Sequence, residues 1–162
     1  MNSKKKNIIK VLKIINNQKQ LKNVFLANTK KKIVMKTLKY CDNYVYSYPP
    51  YNYRDNLVSA KETLNMFNFV NNYFYGSCHE INFFAKYIFS LFKIKTKILH
   101  MNNLSGLTHL ALEVLINNKK IFIDPTLGLY FYGEKQELLS YKEIIIRLTQ
   151  NKKVLSNKKI SL

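Results

Sequence analysis

"HLALEVLINNKKIFIDPT", residues 109–126, decides the fold. Two apolar runs rich in branched residues flank the pair Asn117-Asn118, which reads as a β-hairpin with strands over 109–116 and 119–124. Asparagine tolerates the positive φ that a two-residue hairpin turn requires at both central positions. Such a turn sets Ile116 opposite Lys119. Stepping outward along the pair, His109 falls opposite Thr126 and Asp124 opposite Ala111. All four then share one sheet face, and His109 and Asp124 become diagonal neighbours about 7–8 Å apart along the backbone, within side-chain reach. A loop one residue longer or shorter, without a bulge, would put them on opposite faces.

The elements on either side complete the pattern. "IKTKILHM" (94–101) reads as a preceding strand, "NNLSGL" as a loop and "LYFY" as a short following strand. Ser140 and Glu143 match a capping box opening the helix "YKEIIIRLTQ". Upstream, "YFYGSCHEINFFAKYIF" (73–89) reads as a turn with Gly76 as a helix breaker, then a helix from Cys78. Ile81, Phe84, Ala85, Ile88, Leu91 and Phe92 give that helix a core-facing stripe. A helix over 59–74 is expected from Ser59, Glu62 and the apolar face Leu64, Phe67, Val70 and Phe74. The tyrosine-rich stretch 40–56, with Pro49 and Pro50, reads as a loop or extended segment. Two further helices are expected, over 31–41 and over 4–26, the latter carrying Ile8, Val11, Leu12 and Ile15 at helical spacing. Helices first and an antiparallel sheet second make an α+β domain, with the Cys78 helix packed on a small sheet.

A cysteine in the first turn of a helix faces unpaired N–H groups at the positive end of the macrodipole, and both favour a thiolate. A nucleophile also needs a base, and the base needs an orienting group. His79 is adjacent to Cys78 and faces elsewhere on a helix; His100 ends a strand. His109, with Asp124 beside it by register, is the candidate base. Cys78, His109 and Asp124 are therefore the candidate catalytic set. Each has a plainer reading: Cys78 as a small buried hydrophobe, His109 as a strand histidine, Asp124 as a turn cap before Pro125. Glu113 shares the His109 face and reads best as a partner for a lysine.

"GSC" at a helix start, then "HLALEV", then "IFIDPT" resembles the transglutaminase-like branch of the papain-type cysteine fold. The resemblance spans about residues 60–130. It implies Cys78 as nucleophile, His109 as general base and then acid, Asp124 as orienter of the imidazole, and the Cys78 N–H as one oxyanion donor. It implies a peptidase or amidase acting on peptide or carboxamide bonds, a transglutaminase, or a leader peptidase of a peptide-modification pathway; a catalytically inactive scaffold on the same fold is the alternative. Ala111 stands where that family usually has an aromatic residue, His79 also stands at a commonly aromatic position, and the chain has no tryptophan. These departures bear on the substrate pocket more than on the triad.

The chain has 162 residues and a net charge of +18. That length suits one domain over 1–162, with a core over 60–130 and a basic helical extension over 1–55. The first acid is Asp42, so the N-terminal lysines would attract an acidic partner. Only Arg54 and Arg147 are arginines, whereas specific nucleic-acid readers usually rely on arginine; nucleic acid is not the expected partner. The expected partner is a peptide or protein substrate. The start carries no signal-peptide pattern and no apolar run is long enough to span a bilayer, so a reducing cytoplasmic setting is expected. Two cysteines do not suggest a disulfide framework. No cofactor is expected, and no metal site, since Cys78, His79, His109 and Asp124 lack short ligand spacing.

Overall fold

A computed structural model describes residues 19–44, 46–47, 75–76, 78–102 and 108–158. Helices α1 (Lys19–Phe25) and α2 (Lys30–Tyr44) lead into strand β1 (Tyr46–Ser47). Strand β2 (Tyr75–Gly76) precedes helix α3 (Cys78–Leu91). Strands β3 (Thr96–Asn102), β4 (Thr108–Ile116), β5 (Lys119–Asp124) and β6 (Leu129–Tyr132) follow, then helix α4 (Tyr141–Thr149) and strand β7 (Leu155–Ser156). β3 to β7 form one antiparallel sheet in chain order, and the fold class is α+β.

The hairpin carries the expected register. Ile116 pairs with Lys119 and Leu112 with Ile123, and Asn117 and Asn118 take φ of 50° and 62°. Helix α2 begins one residue earlier than its apolar pattern suggests, because the Thr29 hydroxyl accepts from the Lys32 N–H, at 3.2 Å, and caps it. Ser140 and Glu143 form the expected capping box: the Ser140 side chain accepts from the Glu143 N–H, and the Glu143 carboxylate accepts from the Ser140 N–H. Gly76, expected to follow a helix end, pairs in parallel with Ser47 as Tyr75 does with Tyr46, so the backbone just before Cys78 is held by a two-residue ladder. The expected helix over 59–74, most of the tyrosine-rich stretch and the helix before residue 19 lie outside the described residues; the described part of the latter is helical to Phe25.

The core explains why these elements stay together. Ile81, Phe84, Ala85, Ile88 and Phe89 of α3 are sealed against Leu112, Val114 and Ile116 of β4 and Ile121 and Ile123 of β5. The same cluster takes in Val24 and Phe25 of α1 and Ile33, Val34, Leu38, Tyr40 and Cys41 of α2, so residues 19–44 share the core of the Cys78 helix. Phe25 meets Phe92, and Tyr40 meets Phe84, in tilted ring contacts at 5.4 and 5.9 Å. Each large side chain removed from water contributes on the order of 1.5–3 kcal/mol. A smaller cluster of Ala111, Phe122, Leu139 and Ile144 covers the opposite face of the sheet, where α4 lies. Lys30, Lys31, Lys32, Lys36 and Lys39 stay exposed on the outer side of α2.

Candidate active site

The site is built at the end of the sheet where β4 outruns β5. The last β4–β5 pair is Leu112–Ile123, while Thr108–Ala111 continue alongside β3 alone on one side. On the other side the chain turns through "DPTLG", residues 124–128. Gly128, at φ 61°, lies in this turn, and a Cβ there would run into the Asp42 side chain.

That turn locks Asp124. The residue is 1% exposed. Its Oδ1 accepts from the Thr126 and Leu127 N–H groups, at 3.0 and 3.1 Å. Its Oδ2 lies 2.6 Å from His109 Nε2. One oxygen of Asp124 thus caps the turn and the other bonds the His109 ring. A buried carboxylate so satisfied favours the tautomer with its proton on Nε2, which leaves the Nδ1 lone pair as the ring's base. The hydrogen bond to Asp124 raises His109 above the ordinary histidine pKa; partial burial works against that rise and the Asp124 charge adds to it.

Cys78 is the first residue of α3, partly exposed, with a free thiol. Among the described residues it makes no hydrogen bond to His109. By alternation along β4, His109 continues the Ala111 face, while α3 packs on the Leu112 and Val114 face. α3 reaches the corner through Asn82, one turn below Cys78. The Asn82 Nδ2 lies 2.7 Å from the Cys78 carbonyl, 2.9 Å from the Leu110 carbonyl and 3.1 Å from Thr126 Oγ1. One amide nitrogen therefore lies between the nucleophile candidate's backbone, the residue after His109 and the turn that holds Asp124. The periodicity of the helix marks its apolar stripe but does not reveal this amide. The available signal is a polar residue one position along from Ile81, inside a run of apolar ones.

Other features separate from the site. Glu113 pairs with Lys120 at 3.3 Å, as the lysine reading expects. His79 stacks on Phe83, with ring centroids 4.5 Å apart, and stays on the outer side of the helix. Cys41 is sealed in the core as a second free cysteine. Among the described residues no group of three or more His, Cys, Asp or Glu could hold a metal ion, and no helix is long and apolar enough to cross a membrane.

The sequence matches no family model and no curated protein. One solved structure, described as "Crystal structure of a TGase", aligns at 18% identity with a TM-score of 0.46. The alignment covers 74% of this chain but only 31% of that one, so the chain spans about a third of the protein it resembles.

Proposed function

We propose that this protein is a thiol acyl-transfer enzyme of the transglutaminase-like kind, with Cys78 as nucleophile, His109 as acid and base, and Asp124 as the group that orients His109. The observation that carries the reading is the His109–Asp124 pair. A buried carboxylate pinned by two backbone N–H groups spends its remaining oxygen on one imidazole, 2.6 Å away. A turn cap alone has no need of the histidine.

In this reading His109 Nδ1 takes the Cys78 proton as Sγ adds to a carboxamide or peptide carbonyl. The developing oxyanion is met by the Cys78 backbone N–H at the start of α3. The tetrahedral adduct collapses, the C–N bond breaks, and the amine leaves with the proton from His109. Water, activated by the same nitrogen, then releases the acyl group as an acid. An amine in place of water would make the reaction a transglutamination. Catalytic hydrogen bonds are often long before substrate binds, which accommodates a thiol that does not yet touch the imidazole.

The test is acylation with p-nitrophenyl acetate. The enzyme reading expects a burst of p-nitrophenol and a mass increase confined to the peptide holding Cys78, both lost in His109→Ala. Absence of acylation on Cys78 in folded protein would leave the second reading, a scaffold on the same fold, which the unjoined Cys78 and His109 favour. The exposed lysines of α2 support an acidic segment in the substrate or partner. Binding of a poly-glutamate peptide that weakens steeply with salt is the expected outcome.

A further inference from the structure

We infer that Asn82 is the positioning residue that sets Cys78 against the His109–Asp124 pair. The inference rests on the acyl-transfer reading and deepens it. Asn82 is 0% exposed, on a helix face otherwise lined by Ile81, Phe84, Ala85 and Ile88. Its amide orientation is not free. Two of the three acceptors around Nδ2 are backbone carbonyls, of Cys78 and Leu110. A flipped amide would set its own oxygen against both, so the nitrogen must stand there. The consequence is an Oδ1 that is buried with no hydrogen-bond partner among the described residues.

A side chain selected only for packing or stability would avoid that arrangement. A buried acceptor left unpaired is costly, and an alanine or leucine on this face would carry none. What the amide provides is a tie to three segments, its two N–H hydrogens shared among three acceptors. The Cys78 carbonyl lies on α3, the Leu110 carbonyl follows His109 on β4, and Thr126 Oγ1 belongs to the turn whose N–H groups hold Asp124. α3 packs on one face of the sheet, and the histidine and aspartate belong by alternation to the other. Among the described residues, Asn82 reaches all three segments at the corner where the faces meet. A shift of about 1 Å between reacting groups can cost roughly 10²-fold in rate, so a tie of this kind acts through the residues it aligns.

The experiment is iodoacetamide alkylation of Cys78 at pH 6, with Cys41 monitored in the same digest and folding checked by circular dichroism. Asn82→Leu keeps the branched four-atom shape of the side chain and removes the amide. Asn82→Ser keeps a local bond to the Cys78 carbonyl, as helical serines make four residues back, but cannot bridge to β4, and serves if the leucine variant does not fold. The expected result is a fall of about tenfold in the Cys78 rate, the loss that one pH unit of weakened thiolate stabilisation produces. Adding either substitution to His109→Ala should lower the rate no further, because Asn82 acts through the alignment with His109. A folded Asn82 variant with the wild-type pH profile, or losses that multiply with those of His109→Ala, would overturn the inference and leave the acyl-transfer reading intact. A wild-type rate indifferent to His109→Ala would instead overturn both.

Discussion

The chain has two cysteines and folds them into opposite surroundings. Cys41 sits inside α2, fully buried among Val34, Leu38 and Phe84 in the main cluster. Burial pushes its thiol far above the ordinary range, and the neighbouring Asp42 charge adds to the rise. Cys78 opens α3, partly exposed, at the positive end of the helix macrodipole, and Asn82 ties its carbonyl to the end of the sheet where the histidine–aspartate pair stands. The same atom type is packing material in one region and a nucleophile candidate in the other. What differs is its position along a helix and what the sheet places beside it.

The most severe way to break the contrast is Cys78→Ala. It should abolish acylation by p-nitrophenyl acetate outright, while Cys41→Ala should leave the burst in place. Acylation that survives Cys78→Ala would remove the contrast.

Asp124→Asn comes next. The amide Oδ1 can still accept from Thr126 and Leu127, but Nδ2 would then face His109 Nε2 and force the proton onto Nδ1, the wrong tautomer for a base. A loss of about 10³–10⁴-fold in acylation rate is expected, as in other triads. The same variant sharpens the pH behaviour. The folded pKa of His109 is raised, so its contribution to stability is full below about pH 6.5 and is lost as pH rises through the folded value. The stability gap between wild type and Asp124→Asn, measured by urea unfolding, should therefore be wider at pH 6 than at pH 9. An equal gap at both would contradict the assigned pair.

Cys41→Ser tests the other half. A hydroxyl in that sealed position should cost about 1–3 kcal/mol of stability without changing the alkylation profile of Cys78. The smallest effect is expected at Ser140→Ala, which removes one half of the α4 capping box. A loss of about 1 kcal/mol is expected by thermal unfolding, with the ratio of Cys78 to Cys41 reactivity unchanged.

Much of this arrangement is written in short-range patterns. The Asn117–Asn118 turn fixes which residues face one another, and that parity places His109 and Asp124 on one face. The Ser140–Glu143 box and the Cys78 helix start are legible for the same reason: each depends on residues within one turn. What escapes is long-range. The Asn82 amide spans three segments far apart in sequence, and no periodicity reports a hydrogen bond between a helix and a strand. The meeting of Asp42 with Lys158, across nearly the whole described chain, is equally invisible. The pairing of Gly76 with Ser47 is likewise long-range: a glycine after a helical pattern signals a helix end but not the strand it joins.

The most direct test of the central claim is the pH dependence of iodoacetamide alkylation at Cys78 in the folded protein, read by mass spectrometry with Cys41 as the internal control. The expected result is rapid modification of Cys78 that persists well below pH 7 and is slowed by His109→Ala, with Cys41 protected until the protein unfolds. A Cys78 that is inert, or that reacts as an ordinary thiol near pH 8.5 whether or not His109 is present, would contradict it.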